Sequence, residues 1–364
     1  MLLSGCTGRC GIYANYRSLA DLETVSTLGL DRTPDGITLS AAADRADPEQ
    51  PAAVLRRNSP DLRQGLDALQ NYAADRQLYF AHTRFFLLGE DYARAGIGQL
   101  LDYVERDVNM RMGTDVFLLR GDRADALVTA DGDVSALLAS VVRNMDANGG
   151  SHVSDIRDVA VALSEYGAAA VCALRMVSPE GSVFSEGTGR LAVPDGYAIL
   201  KDGALAGYVD GNAGAALGFL AGHPGTVTRR FGGENGVTLE LRRAGRPAFR
   251  FRKTPQGLAA EVTLRLNAVL SALDAAGQST GLPDLAELSA LVAEEIGNDA
   301  TAVLACSKAL NADFLALGRD VRHKFGPAEQ EGFLQKTDFQ VNVEVILDHG
   351  YDMSAPLGMR GGAA

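Results

Sequence analysis

Tryptophan is absent from the 364-residue sequence, and histidine and cysteine are scarce, at five and four residues. No two histidines are spaced as metal ligands, and no two cysteine pairs have the spacing of a zinc site. We therefore expect no metal site and no cofactor. Cys172 and Cys306 lie in apolar or helical stretches and are predicted to be small buried residues, not parts of a disulfide framework.

Long apolar runs and an excess of positive charge are also missing. No window contains the eighteen or more apolar residues that a membrane-spanning helix needs. The net charge is −12. Binding to nucleic acid depends on basic residues that neutralise phosphates, so this acidic composition predicts no nucleic-acid partner.

The motifs of several common enzyme classes do not occur. There is no phosphate-binding loop ending in Gly-Lys-Ser/Thr, no Gly-x-Ser-x-Gly and no His-Glu-x-x-His. The run from Asp131 to Asp133 resembles the start of a calcium loop, but Val142 stands where the bidentate glutamate is needed. We therefore predict no catalytic residues and a chain that is not an enzyme.

Two further polar features are given structural interpretations. His82 lies inside an apolar segment and is expected to be a hydrogen-bonded histidine of the core. Five basic residues lie close together in the C-terminal half and are expected on a solvent-exposed sheet face. They are Arg242, Arg243, Arg250, Arg252 and Lys253.

The N-terminal run Leu3-Ser4-Gly5-Cys6 matches the end of a bacterial lipoprotein signal. Small residues before the cysteine suit the signal peptidase, and the Cys6 thiol would take a diacylglyceryl group, so Cys6 is the predicted lipid-attachment residue. The alternative is a chance tetrapeptide. Only Leu2 and Leu3 remain of the usual apolar leader, so we expect either a trimmed sequence or a true start codon further upstream.

Helical periodicity alternates with short apolar runs along the rest of the chain. Phe85 to Leu88 and Val116 to Leu119 read as strands that are covered on both faces, and Glu90 is expected to open a long amphipathic helix. The predicted fold class is α+β, with three domains in which helices pack on mixed sheets. The boundaries are a lipobox and tether over 1–16, an N-terminal α+β domain over 17–190, a small middle domain over 191–225, a C-terminal α+β domain over 226–352 and a flexible tail over 353–364.

Several segments, taken in order, resemble the Ger(x)C family, the lipoprotein C subunits of nutrient germinant receptors in spore-forming bacteria. The matching segments are Ser4-Gly5-Cys6, Leu19 to Leu22, Leu28 to Asp31, Tyr79 to Glu90, Ala93 to Ile97, Leu101 to Asp107, Met110-Arg111, Gly196 to Tyr208, Asp313-Phe314 with Gly318, and Val341 to Gly350. The chain departs from the family at Thr7-Gly8, where Trp-Asp is usual, and at Pro327 to Gln330, where a tryptophan is expected.

The resemblance implies a function as well as a fold. It implies three α+β domains held at the outer face of the inner spore membrane, if the organism sporulates, through a lipid on Cys6. The implied partners are two integral membrane receptor subunits, and the implied role is assembly or signal relay in germination. The alternatives are a lipid-anchored extracytoplasmic solute-binding protein and an extracytoplasmic hydrolase, although the sequence displays neither matching halves nor an acid/base pair.

Overall fold

The computed structural model describes residues 22–43, 53–73, 76–107, 110–130, 133–148, 151–178, 191–223, 225–232, 236–273 and 285–348. Within these ranges the strands form two mixed sheets with helices packed on them, which confirms the predicted α+β class. Cys6, the rest of the lipobox, the predicted tether and tail, and the loop from Asp131 lie wholly or mostly outside the described residues.

The first sheet contains ten of the described strands. They are β1 (Leu22–Thr33), β2 (Gly36–Ala43), β3 (Val54–Ser59), β4 (Gln77–Tyr79), β5 (Phe85–Gly89), β6 (Asp115–Leu119), β7 (Ser154–Asp155), β8 (Ala168–Val177), β9 (Leu191–Lys201) and β10 (Ala204–Val209). Their order is β10-β9-β8-β6-β5-β1-β2-β3, with β4 beside β1 and β7 beside β6. The central strands β1, β5, β6 and β8 run parallel to one another.

Helices cover both faces of this sheet. They are α1 (Leu62–Tyr72), α2 (Glu90–Ala95), α3 (Gly98–Arg106), α4 (Ala124–Val128), α5 (Val134–Asn148) and α6 (Ile156–Tyr166). The buried side chains of α1, α2, α3 and α6 pack on one face, and those of α4 and α5 pack on the other. Residues Phe85 to Leu88 and Val116 to Leu119 are accordingly buried throughout, which confirms both strands as covered on two sides.

The second sheet is smaller and lies in the C-terminal half. Its strands are β11 (Thr226–Phe231), β12 (Val237–Arg243), β13 (Ala248–Thr254), β14 (Gly257–Leu273) and β15 (Thr337–Asp348), and the helices that follow α7 (Gly211–Ala221) are α8 (Leu285–Leu310), α9 (Leu317–Phe325), α10 (Pro327–Gln330) and α11 (Phe333–Lys336). The long strand β14 pairs antiparallel with β12 and β13 and parallel with β15. Helix α8 buries Val292, Ile296 and Val303 in the core of this sheet.

The predicted middle segment contacts both sheets. Strand β9 pairs with β8, so the β9–β10 hairpin extends the first sheet at one edge. Leu217, Phe219 and Leu220 of α7 belong instead to the core of the second sheet. The division into three domains stays a prediction, and these contacts show that residues 191–221 join the two sheets.

The helix predicted to begin at Glu90 is in fact two helices. Gly96 has φ of +108°, a conformation that ends α2, and the Ile97 N–H then donates to the Gly203 carbonyl at 2.9 Å before α3 begins. The apolar spacing from Ile97 to Val104 correctly predicted a buried helix face, since Ile97, Leu100 and Val104 are all buried. Gly96 and Ile97 therefore separate two helices that share one buried side.

Asp313 supplies a pH-dependent contribution to the second half of the chain. Its buried carboxylate accepts the N–H groups of Leu317 at 2.8 Å and Gly318 at 2.7 Å. Burial raises the pKa of Asp313 from 3.8 to about 6, although these two hydrogen bonds act in the opposite direction. Between about pH 4 and pH 6 the Asp313 carboxyl is therefore protonated in the folded protein but ionised in the unfolded chain.

The sign of this effect predicts that Asp313 favours the folded state more strongly at acidic pH. Because the folded pKa is the higher one, stability from this group falls as the pH rises from about 4 to about 6 and is then constant. We expect the unfolding free energy of the wild type, minus that of Asp313→Asn, to fall by roughly 2–3 kcal/mol across this window. Urea denaturation at several pH values measures the difference. A difference for Asp313→Asn that stays flat between pH 4 and pH 6 would contradict the prediction.

Candidate functional site at the carboxyl edge of the parallel strands

A crevice opens where the central parallel strands end. Strand β5 leads into α2 on one face of the sheet, whereas β6 leads into α4 on the other face. Connections that leave to opposite faces create the crevice at which open α/β sheets bind their ligands. A cavity of about 230 Å³ lies here, lined by Asp31, Arg32, Glu90, Asp91, Gly121, Asp122 and Arg123.

Asp31 is the most deeply buried charged residue of this edge, with 2% of its surface exposed. Its carboxylate accepts the N–H of Ala124 at 2.7 Å and the N–H of Asp125 at 2.8 Å, at the start of α4. Burial raises the pKa of Asp31, and the two N–H groups counteract that rise. The end of β1 is thus fixed to the start of α4.

Arginine side chains connect this carboxylate to the outer strands. Arg123 pairs with Asp125 at 3.0 Å and lies 3.9 Å from Asp31. Arg56, on the edge strand β3, reaches the other oxygen of Asp125 at 2.6 Å. Two guanidinium groups therefore face two mostly buried carboxylates, which balances the charge of this end of the edge.

Glu90 links β5 to the hairpin. Its carboxylate accepts the Gly121 N–H at 2.6 Å and the Tyr208 hydroxyl at 2.9 Å, and it pairs with Arg94 one turn later on α2. Partial burial acts to raise the pKa of Glu90, but the three hydrogen bonds outweigh it and hold the pKa below its ordinary value. The carboxylate therefore stays ionised and holds three elements together.

Arg120 completes the series at the end of β6. Its guanidinium pairs with Asp195 on β9 at 3.0 Å and with Asp210, just before α7, at 2.6 Å. It also lies over the Tyr208 ring, 4.3 Å from the ring centre. We call Asp31, Glu90, Arg120, Arg123 and Asp125 the carboxyl-edge network.

The chemistry available to this network is structural. Each of its five charged groups is paired with an opposite charge or a backbone N–H, so none is placed as a free nucleophile or base. In the part of the chain that the structure describes, no group of three or more His, Cys, Asp or Glu side chains could hold a metal ion. The arrangement fastens the ends of these strands to α2, to α4 and to the start of α7.

The residues singled out from the sequence have mixed outcomes. His82 is exposed in a turn before β5, beside the Tyr79 ring, so its prediction as a core histidine is wrong, because the apolar run that buries side chains begins only at Phe85. Cys172 is fully buried as predicted, whereas Cys306 is only partly buried. Arg242, Arg250, Arg252 and Lys253 are exposed on β12 and β13, as that interpretation expects. Arg243 is instead half-buried, with its guanidinium beside Gly222 at the end of α7.

The carboxyl-edge network was not predicted from the sequence, although a signal for it is present. Asp31 is the last residue of the buried run in β1, and Glu90 and Arg120 follow directly on the buried strands β5 and β6. Charged residues at the carboxyl ends of parallel strands lie at a common edge, so their positions could have indicated a site.

Two models of known protein families match the chain. Residues 15–176 match a model described as the spore germination protein N-terminal domain. Residues 195–350 match a second model, described as spore germination B3/GerAC-like, C-terminal. The chain belongs to the Ger(x)C family of spore germination proteins. The boundary between the two models falls near the connection from β8 to β9, and the two matches together span most of this Ger(x)C chain.

A solved structure has the same fold. The crystal structure of the GerBC protein superposes with a TM-score of 0.57 at 15% sequence identity, over 88% of this chain and 96% of that one. At this identity the likeness concerns the fold. None of the curated proteins compared with the sequence matches it.

Proposed function

We propose that this Ger(x)C chain is the lipid-anchored C subunit of a nutrient germinant receptor, with an assembly or signal-relay role in germination. The observation that supports the proposal best is the pair of family matches, in order, over residues 15–176 and 195–350. Its partners would be two integral membrane subunits. No helix within the described ranges is long and apolar enough to cross a membrane, and Cys6 would supply the attachment through its lipid.

The internal contacts are consistent with a relay. The carboxyl-edge network pairs with Arg56 on β3 through Asp125 and with Asp210, at the start of α7, through Arg120. Helix α7 in turn packs Leu217 and Phe219 into the core of the second sheet. A displacement at one end of the first sheet therefore has a continuous set of polar and apolar contacts to the second, which is what coupling between two partner surfaces needs.

The solute-binding alternative gains less support from the fold. Proteins of that class usually pair two similar lobes around a cleft. The two sheets described here differ in strand number and in strand direction, with four parallel strands in the centre of one and a single parallel pair in the other. We therefore retain the receptor-subunit proposal.

The anchor is tested by replacing its nucleophile. The protein, produced in spores from its own gene, should fractionate with membranes, and Cys6→Ser should move most of it to the soluble fraction because no thiol remains to take the lipid. Cys10→Ser is the matched control, since it removes a thiol four residues away and should leave the protein on the membrane. Equal membrane association of wild type and Cys6→Ser would refute the lipid anchor.

The partners are tested separately. After mild detergent extraction, the tagged wild-type protein should copurify with two multi-pass membrane proteins, which mass spectrometry would identify. Recovery of the protein alone under conditions that preserve other membrane complexes would contradict the receptor assignment while leaving the anchor intact.

A further inference from the structure

A second cavity lies beside the carboxyl-edge network, on the other side of Arg32. Its volume is about 250 Å³, and Arg32, Ile37, Tyr92, Gly96, Gly98 and Gln99 are among its lining residues. Arg32 lines the network's cavity as well. We call this space the α3 cavity, because the first turn of α3 forms one of its walls.

The N-terminus of α3 has no capping side chain. Its N-cap residue is Ile97, which cannot accept a hydrogen bond through its side chain, and the first turn contains no acidic residue. The N–H groups of Gly98 and Gln99 have no acceptor inside a helix, and no described residue supplies one. A Cβ built at Gly98 would meet nothing within 4 Å, so the space in front of this turn is open.

Arg32 brings an unpaired positive charge to the same space. It is exposed, and its side chain forms no ion pair with any described residue. The neighbouring guanidinium groups of Arg120 and Arg123 are each held by carboxylates. Arg32 therefore has its hydrogen-bonding capacity available.

Tyr92 supplies an independent observation. Its side chain lines the cavity and is 97% buried, with 3% of its surface exposed. The Leu100 N–H approaches the hydroxyl oxygen, but no described residue accepts a hydrogen bond from the hydroxyl. Buried polar atoms are nearly always satisfied, and an unsatisfied one costs stability. Burial raises the pKa of Tyr92, so the hydroxyl keeps its proton and can donate it in a hydrogen bond.

All of these groups favour a bound anion. We propose that the α3 cavity binds a small carboxylate, held by the Arg32 guanidinium, the Gly98 and Gln99 N–H groups and the Tyr92 hydroxyl. Planar carboxylates match the arginine fork, and helix N-termini favour anions. Ile37 and Ala95 give the cavity an apolar wall for a short carbon chain, and its volume is below that of pockets for drug-sized ligands.

The test titrates sodium acetate into the purified full-length chain at pH 7, with sodium chloride at matched ionic strength as the reference. Amide NMR signals of Gly98 and Gln99 should shift and saturate with acetate alone, and acetate should raise the melting temperature. Arg32→Gln should weaken acetate binding at least tenfold, and Tyr92→Phe should weaken it severalfold while leaving the melting temperature of the free protein unchanged or higher.

Matched controls remove the same groups elsewhere. The control variants are Arg111→Gln and Tyr79→Phe, because Arg111 and Tyr79 lie near the amino ends of the parallel strands. Both variants should bind acetate as the wild type does. Gln99→Glu places a carboxylate in the first turn of α3, so it should raise the melting temperature without acetate and abolish acetate binding.

Three results would overturn the proposal. They are equal shifts with chloride, acetate binding that survives Arg32→Gln and Gln99→Glu, and tighter binding of phosphate than of acetate at the same residues. The last result would identify the cavity as a site for tetrahedral oxyanions. None of these outcomes depends on the lipid anchor or on the membrane partners.

Discussion

Replacing Asp31 with alanine should lower the free energy of unfolding by about 3 kcal/mol. The substitution leaves the buried N–H groups of Ala124 and Asp125 without an acceptor and removes a negative charge that faces Arg123. Each loss is costly because Asp31 is almost completely buried. Urea denaturation followed by circular dichroism measures the change, and Asp31→Asn, which keeps one acceptor oxygen, should lose less.

Two comparisons make the Asp31 result specific. Asp35→Ala removes an exposed carboxylate from the turn after β1 and should change stability by no more than about 0.5 kcal/mol. A Cβ at Gly89 would stand 2.0 Å from a carboxylate oxygen of Asp31, so Gly89→Ala should be destabilising by itself but much less so in the Asp31→Ala background. Additive losses, or an Asp31→Ala effect below 1 kcal/mol, would show that the carboxylate is not fixed where the geometry places it.

The central strands could be predicted from the sequence because their burial is local information. Phe85 to Leu88 and Val116 to Leu119 are continuous apolar runs, and a strand covered on both faces needs apolar residues at every position. Strand β3 was missed for the opposite reason. Its residues Arg56, Arg57 and Asn58 are polar, which an edge strand tolerates because one of its sides faces solvent.

The carboxyl-edge network could not be predicted as pairs, because its partners are distant in the sequence. Asp31 meets the Ala124 N–H 93 residues later, and Glu90 meets Tyr208 118 residues later. Such pairs depend on the strand order β8-β6-β5-β1 and on the face to which each connection departs. Neither property follows from hydrophobic periodicity, so the sequence could indicate which residues lie at the edge but not which residues they contact.

The prediction of the lipid anchor does not depend on the fold. Cys6 was predicted from a short chemical motif, and the family matches begin only at residue 15. The chemistry of acylation acts on an extended segment and needs no folded partner residues. The anchor and the receptor subunit are therefore separate hypotheses, which is why the Cys6→Ser and copurification experiments can fail independently.

Substituting alanine for Gly196 should be among the most destabilising single changes in the chain, at about 4 kcal/mol. Gly196 has φ of +76°, and a Cβ there would stand 2.3 Å from the Val209 carbonyl oxygen and 2.6 Å from the Asp210 Cα. Both contacts are with backbone, so no side-chain rotation can relieve them. Gly113→Ala, at an exposed position where a Cβ meets nothing within 4 Å, is the matched control and should change stability by no more than about 1 kcal/mol.

The Gly196 substitution also tests whether residues 191–225 form a separate domain. The backbone of β9 is irregular here, since the β8–β9 register shifts between Cys172 and Leu174. The adjacent Asp195 and Asp210 both pair with Arg120, the residue that follows β6. Displacing that backbone should therefore weaken the first sheet as well as the hairpin. Hydrogen exchange of Gly196→Ala should show faster exchange in β6 and β8 together with β9 and β10. Faster exchange confined to β9, β10 and α7 would instead favour an independent middle domain, because the first sheet would then be stable without them.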